Sequence, residues 1–448
     1  MKILFIQPDP DYNNNFILRS LKKNGIPSLT LAFPMLAAVT PKKHSILMID
    51  ERFKEINFNT NCDLVGITAI TQEVIRAYEI ADEFRKRRIP VIIGGWHASA
   101  LPYEAKQHAD SVVIGEAEET WPQLLNDFEK NKLKPFYYSK KPVDLKKIPP
   151  PHREILKEKS NTTGIQSSRG CPNGCKFCAV TNSLYGNVFR TRKVDHVIKE
   201  IKSLSQKYIM FYDTSLTTDV QHSKYMFREI INENLNKKFI CLGNSNILSK
   251  DDKLLELSRE AGCIQWNVGF ESISQEVIDK IGKKTNNIKT YIKTVEKIHK
   301  HCMNVNGLFL FGLDGEDQDV FKDTLNFIKK SQLDVASFSI LTPFPGTPIY
   351  EEFIHDGRIL TKDWSKYRYQ RNVVFKPESF TREELIQNVR ELYTKYYSYQ
   401  QIFNRFKNVS RRGFKTFQPF PFILDVFFKR FYYLHFYKLR LGILRGPK

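Results

Sequence analysis

Ser167 to Val180 reads Ser-Ser-Arg-Gly-Cys-Pro-Asn-Gly-Cys-Lys-Phe-Cys-Ala-Val, and its three cysteines organise the reading of the whole chain. Cys171, Cys175 and Cys178 form C-x3-C-x2-C, a triple too tightly spaced to be disulfide-bonded to itself and one sulfur short of a closed tetrahedral zinc site. Three thiolates can hold three corners of a [4Fe–4S] cube and leave the fourth iron open to a substrate or cofactor. Gly170, Pro172 and Gly174 let the loop turn tightly, so that backbone amides can point at the sulfurs, and Phe177 stands just before the last cysteine. The plainer alternative is a zinc knuckle completed from elsewhere by Cys241, Cys263 or His152.

With Phe177 in place, the motif resembles the signature of the radical S-adenosylmethionine (SAM) enzymes, C-x3-C-x-aromatic-C on the loop after the first barrel strand. The resemblance implies a cluster on Cys171, Cys175 and Cys178, with SAM at the open iron and Phe177 beside it.

The chain has 448 residues, enough for two or three domains, and 41% hydrophobic with 26% charged residues is ordinary for a soluble globular protein. Seven cysteines, unevenly placed, do not make a disulfide scaffold, and Met-Lys-Ile-Leu-Phe-Ile opens like a strand rather than a signal peptide. A cytoplasmic, reducing location is expected. There is no uncharged apolar run of roughly 18 or more residues that would suggest a transmembrane helix. The net charge of +20 is uneven: from Gln401 to Lys448 eleven Lys and Arg face one acid, Asp425.

Before the cysteines, short β-rich runs alternate with helical patterns. Lys2–Gln7, Ser45–Asp50, Leu64–Thr68, Pro90–Ile93 and Ser111–Ile114 read as strands, Thr71–Arg87 and Glu118–Glu129 as helices. Five parallel strands with crossover helices make a doubly wound α/β domain whose ligand lies beyond the strands' carboxyl ends. There the sequence places Thr68-Ala69-Ile70-Thr71, Gly94-Gly95-Trp96-His97 and Gly115-Glu116. Paired glycines allow close approach to a large flat ligand, although each one alone is more ordinarily a tight βα turn. Together these residues resemble the cobalamin (B12)-binding domain that precedes a radical SAM core in one large subfamily. Thr68-x-Ile70 stands where that fold has its Ser-x-Leu element, and Gly94-Gly95 where it has its paired glycines. Thr71, His97, Gly115 and Glu116 are carried as further cobalamin contacts. The subfamily's Asp-x-His-x-x-Gly is missing, since Gln7-Pro8-Asp9-Pro10 follows the first strand. The resemblance therefore implies cobalamin without a lower histidine ligand. His97 in a Gly-rich loop is more ordinarily a hydrogen-bonding residue.

Asn131 to Thr163, Lys-rich and ending near Pro149-Pro150-Pro151, reads as a linker. Six further strand–helix units follow, with strands at Gly164–Ser168, Tyr208–Tyr212, Phe239–Leu242, Ile264–Gly269, Val305–Phe311 and Asp334–Leu341. Six units suit an open (β/α)6 partial barrel with active residues at the strand ends. Asp213 could accept from the SAM amine, Glu271 from ribose hydroxyls, and the backbone at Gly312 could reach the adenine; Asn244 and Ser272 share that rim. An isolated carboxylate at such a position is more ordinarily a helix N-cap. Gly-x-Glu271-Ser272 and Lys283-Lys284-Thr285 also resemble the family's sequence at that place.

The expected layout is thus a cobalamin-binding domain over 1–130, a linker over 131–163, a radical SAM core over 164–348, a helical extension over 349–410 and a basic aromatic tail over 411–448. The function implied by the resemblance is cobalamin-dependent radical chemistry, with C-methylation of an unactivated carbon in a small or lipid-like substrate as the first reading. Radical cyclisation, oxidation or rearrangement on the same scaffold is the alternative, and a non-enzymatic cobalamin or redox sensor the next. An electron donor such as flavodoxin or ferredoxin is implied. From Phe403 to the end, thirteen Phe and Tyr interleave with the cations. A spanning helix is disfavoured, since each central Lys or Arg costs about 2.5–3.5 kcal/mol. Nucleic-acid stacking lacks any accompanying RNA-binding module. A packed C-terminal helix and an interfacial helix at a membrane surface remain.

Overall fold

The computed structural model describes residues 1–11, 30–156, 162–369 and 372–405. Strands β1 (Lys2–Gln7), β2 (Ser45–Asp50), β3 (Leu64–Thr68), β4 (Val91–Gly94), β5 (Ser111–Ile114) and β6 (Phe136–Tyr138) pair in the order β2-β1-β3-β4-β5-β6. All pairs are parallel, and the sequence reverses direction between β2 and β3, which makes the sheet doubly wound. Such strands are buried on both faces and therefore read as short apolar runs. β1 to β5 fall within one residue of the expected strands. β6 lies in the stretch read as linker, because three aromatic residues at a sheet edge carry too little alternation to announce a strand. The same stretch stays packed: Val143, Leu145 and Ile148 bury with Met35, and Arg153 Nη2 donates to the Gly164 carbonyl at 2.6 Å.

One face of this sheet is covered by the helix Val74–Lys86, which buries Ala77, Ala81 and Phe84. The other face takes Phe33 and Trp121 from two further helices, with the Phe5 and Phe33 rings stacked at 4.6 Å.

The second sheet opens with β7 (Thr162–Ile165), and a short antiparallel pair, β8 (Ser168–Arg169) and β9 (Arg190–Thr191), brackets the cysteine loop. β10 (Tyr208–Phe211), β11 (Lys238–Gly243), β12 (Cys263–Glu271), β13 (Asn304–Phe311) and β14 (Val335–Ile340) follow in turn. The order β14-β13-β12-β11-β10-β7, all parallel, is the expected six-unit partial barrel with two open edges.

The chain after β14, expected as a small helical appendage, divides its side chains between both sheets. Tyr350, Trp364 and Tyr367 enter the core of the first sheet, each fully buried large side chain adding roughly 1.5–3 kcal/mol. The Trp364 indole donates to Glu104 Oε1 at 2.9 Å. The helix Arg382–Tyr396, opened by a capping box at Thr381 and Glu384, lies along β14. From that segment the Tyr397 hydroxyl donates to the Ala336 carbonyl at 2.8 Å and Tyr393 to the Phe338 carbonyl at 2.7 Å. Tyr393 also accepts the Phe338 N–H at 3.0 Å. These bonds occupy backbone groups that an open edge strand leaves to strangers. Residues 406–448, including the whole expected tail, lie outside the described residues. No helix among the described residues is long and apolar enough to cross a membrane.

Replacing Tyr393 by Phe removes both bonds to Phe338 and leaves buried backbone groups unpaired. The stability of purified Tyr393→Phe should fall by about 1–3 kcal/mol in urea unfolding. An unchanged midpoint would show that the hydroxyl does not protect the edge.

Candidate functional site

The carboxyl ends of β3, β4 and β5 face the cysteine loop of the second sheet, and a cavity of about 430 Å³ lies between them. Thr68, Gly94, Gly95 and Gly115 form its floor, and it runs down the sheet past Phe5, Gly66 and Trp121. Arg169, Gly170, Val180, Leu184, Tyr212 and Thr214 close it from the other side. The two paired glycines serve different ends. Gly95 has φ +99°, and a Cβ there would sit 2.7 Å from both the Ala69 carbonyl and Thr68 Oγ1, so it is needed by the turn itself. A Cβ at Gly94 would meet only Val113, at 3.6 Å, so its bareness keeps the floor low rather than the backbone intact.

Three of the expected cobalamin contacts do not line this cavity. His97 is fully buried, its Nδ1 3.2 Å from Thr71 Oγ1 and its Nε2 3.1 Å from Glu104 Oε1, edge-on to the Trp364 ring. Thr71 is spent on that contact. Ile70 carries the turn into the 3-10 segment Thr71–Glu73, its N–H donating to Glu73 Oε2 at 3.2 Å. After β3 and β4 the chain turns the side chains of Thr71 and His97 towards the core shared with Trp364, whereas Ile70 is left exposed outside the cavity.

Glu116 reaches the cavity, but its carboxylate is already gripped. Arg190 Nη1 and Nη2 donate to its two oxygens at 2.7 and 2.8 Å, Arg169 approaches at 3.3 Å, and the Val143 N–H donates at 3.1 Å. Arg169 Nη2 also donates to Glu118 Oε1 at 2.7 Å. Burial alone would raise the Glu116 pKa; Arg190 and Arg169 outweigh it and hold the group ionised, below the ordinary carboxylate value. Sequence reasoning missed Arg169, Arg190 and Glu118, whose partners lie far away along the chain.

In the cysteine loop, Asn182 Nδ2 donates to the carbonyls of Cys175 and Cys178 at 3.0 and 2.8 Å, and Thr181 Oγ1 to that of Cys171 at 2.6 Å. Gly170, at φ +90°, lets the loop pass against the Val188 carbonyl. The three thiols are near enough to feel one another's charge. Burial pushes the Cys175 thiol up to about 11 and raises Cys171, while Lys283 pulls both the other way. Among the described residues no three Cys, His, Asp or Glu form a finished metal site. The fourth ligands considered for zinc are engaged elsewhere: Cys241 and Cys263 neighbour each other in the barrel core, and His152 sits beside Glu154. Phe177 is half-buried against that core.

The barrel rim holds the expected SAM residues unequally. Glu271, at φ +60° after a bulge in β12, pairs with Lys283 beside the cysteines. A Cβ on Gly269 would meet Lys283 Nζ at 2.6 Å, so that glycine makes room for the pair. Asn286 fixes the bulge by donating to the Gly269 and Phe270 carbonyls at 2.8 and 3.0 Å. The sequence singled out Lys283 only within the Lys283-Lys284-Thr285 stretch and gave it no role, and Asn286 just beyond that stretch was missed. Asp213 is turned inward: its buried carboxylate accepts from the N–H of Ser167 at 3.0 Å and from the hydroxyls of Ser167 and Ser168. Burial raises its pKa in spite of these bonds. It ties β10 to the entry of the cysteine loop and is not presented to a SAM amine. Ser272 is also buried, accepting the Ser274 N–H at 3.2 Å. The Gly312 N–H donates to Glu316 at 2.7 Å, and a Cβ there would strike Leu385, so this glycine serves packing against the C-terminal helix. Asn244 ends β11 half-buried, its N–H given to Thr217 Oγ1 at 2.9 Å.

Residues 165–328 match the model of the radical SAM superfamily, and residues 37–125 that of the B12 binding domain. The chain is 32% identical over 403 residues to the bacteriochlorophyllide d C-8(2)-methyltransferase of Chlorobaculum tepidum, covering 85% of this chain and 88% of that one. The chain belongs to the radical SAM superfamily. It is similar at 23% identity to the anaerobic magnesium-protoporphyrin IX monomethyl ester cyclase of Cereibacter sphaeroides, over 90% of this chain and 71% of that one. In fold it resembles the radical SAM methyltransferase TsrM of Kitasatospora setae, solved with cobalamin and a [4Fe–4S] cluster, with a TM-score of 0.65 at 17% identity over 79% and 78% of the two chains.

As a cobalamin-dependent radical SAM enzyme, the protein takes a [4Fe–4S] cluster, SAM and cobalamin as cofactors. The residues present fit these groups: three thiols on one loop, with no fourth ligand completing a metal site among the described residues, suit a cluster with an open iron, and a floor of bare backbone suits a flat macrocycle. Gly94→Val should keep the fold of this radical SAM protein and weaken corrinoid retention at least about tenfold, a loss of roughly 1.4 kcal/mol. The absorbance of bound corrinoid after gel filtration measures it; full retention would remove Gly94 from the floor.

Proposed function

We propose that the protein transfers a methyl group to an unactivated carbon of an apolar small molecule held between its two domains. The observation that carries this reading is the single cavity with the glycine floor on one side and the cysteine loop on the other. When bound, the cluster and SAM supply a 5′-deoxyadenosyl radical, and cobalamin supplies the methyl group. Cys171, Cys175 and Cys178 would hold the cluster. Lys283 and Glu271 would part to meet the carboxylate and ribose of SAM, the cation taking the anion and the carboxylate taking hydroxyl donors. Gly94, Gly95, Gly115 and Thr68 would bear the corrin. Trp96 and Leu184, 42% and 39% exposed at the cavity, would draw an apolar substrate and keep water out. The Chlorobaculum relative, named for methylation of a bacteriochlorophyllide, supports a flat or lipid-like substrate. The magnesium-protoporphyrin relative, named as a cyclase, supports ring formation without methyl transfer as the second reading.

Reduction of the cluster requires an external donor of the flavodoxin or ferredoxin kind. Membrane contact through 411–448 rests on the sequence of those residues alone.

Two measurements test the proposal. With SAM and reductant, Cys175→Ala should form no 5′-deoxyadenosine, and methyl-labelled SAM should leave its label in the product of the intact enzyme; label retained only in S-adenosylmethionine and its fragments would favour the cyclase reading. Among the described residues no histidine lines the cavity, and His97 is held by Thr71 and Glu104. The Co(II) spectrum of the loaded protein should therefore lack splitting from a protein imidazole nitrogen, and its presence would overturn the histidine-free lower face.

A further inference from the structure

Away from the cofactor cavity, a second cavity of about 620 Å³ lies between the C-terminal end of the helix Val320–Ser331 and residues 394–405. Arg405 lines it and is only 9% exposed. Its guanidinium lies over the Tyr396 ring at 3.8 Å and nears Tyr397 at 5.6 Å, so the rings cover its flat side. Two of those nitrogens, Nε and Nη2, are buried without a hydrogen-bond partner. They share one edge of the guanidinium, and that edge forms a ready-made fork. Arg52 uses the same edge to grip Asp50, Nε to Oδ1 at 2.8 Å and Nη2 to Oδ2 at 2.5 Å. A buried fork without its acceptor is matched by an anion that offers two oxygens.

The surroundings set the kind of anion. Lys329 and Lys395 stand on the rim, Lys395 also touching Glu391 at 3.0 Å. Asp334, the acid in the lining, accepts from His299 Nε2 at 2.8 Å and from the Val305 N–H at 2.9 Å, so its charge is already answered. Three cations around a space far larger than a carboxylate favour a phosphate. Tyr399 and Phe403, one helical turn apart beside the cavity, are 60% and 67% exposed, and the sequence beyond Arg405 interleaves cations with aromatics. Exposed rings beside cations are the composition of a surface that meets lipid headgroups.

We propose that Arg405, with Lys329 and Lys395, binds a phosphate-bearing anion and that membrane phospholipid is its source. The site is independent of the methyl-transfer reading, because none of these residues lines the cofactor cavity. The test uses the full chain with its cluster. Flotation compares vesicles of phosphatidylcholine with and without phosphatidylglycerol, and phosphorus NMR follows line broadening of inorganic phosphate. Arg405→Gln should weaken flotation with the phosphatidylglycerol vesicles by roughly tenfold and abolish the broadening. Arg405→Lys should retain part of both, since it keeps the charge and loses the fork. Iron content, thermal midpoint and 5′-deoxyadenosine yield should not change in either variant. Broadening that depends on Arg405 with flotation that does not would overturn the lipid source in favour of a soluble phosphate ester. Broadening and flotation equal in the wild type and Arg405→Gln would overturn the site.

Discussion

The site depends on two arginines of one domain finding carboxylates of the other. Arg169 and Arg190 sit on the two short strands that bracket the cysteine loop, and Glu116 and Glu118 on the turn after β5. These groups are largely buried, so the halves cannot swing apart without stranding charge, and breaking one partner of a buried pair costs about 3–5 kcal/mol. The span between glycine floor and cysteine loop is therefore held by ion pairs at the cavity rim, and the connecting stretch joins them there, the Val143 N–H donating to Glu116 and the Val143 carbonyl accepting from Arg190. This arrangement suits chemistry shared between two bound groups, because a small change in their separation is costly to a reaction that needs close contact.

The strands were legible because buried parallel strands are nearly pure apolar runs, and Leu64–Thr68 or Val305–Phe311 admit few other readings. The cysteine motif was equally legible, since its chemistry is written in consecutive residues. What sequence does not carry is the direction in which a polar strand end points. Asp213 and Glu271 both end barrel strands, yet Asp213 turns back to bind two serines at the loop entry while Glu271 faces Lys283 beside the thiols. His97 and Gly94 lie three residues apart, and one is locked in a core while the other is open floor.

Such differences come from long-range partners. His97 is drawn inward by Glu104 and Trp364, and the Glu104–Trp364 bond spans 260 residues. Glu116 is claimed by Arg190, 74 residues on. The β6 strand and the packed stretch around Val143 were missed for the same reason: their apolar residues are few, and only the finished tertiary surface gives each a place. Local pattern identifies the elements; the partners that decide each side chain's task are distributed over the full length of the chain.

The Trp364 strap has a consequence for the order in which the protein is made. The first domain leaves the ribosome early, but Tyr350, Trp364 and Tyr367 complete its core, and they are among the last parts of the described chain to emerge. During synthesis that domain must wait with an open apolar seam beside His97 and Glu104. That core can close only when the barrel has been translated and the strap has returned across the sheet, so the first domain to be made is completed by residues that follow the whole barrel.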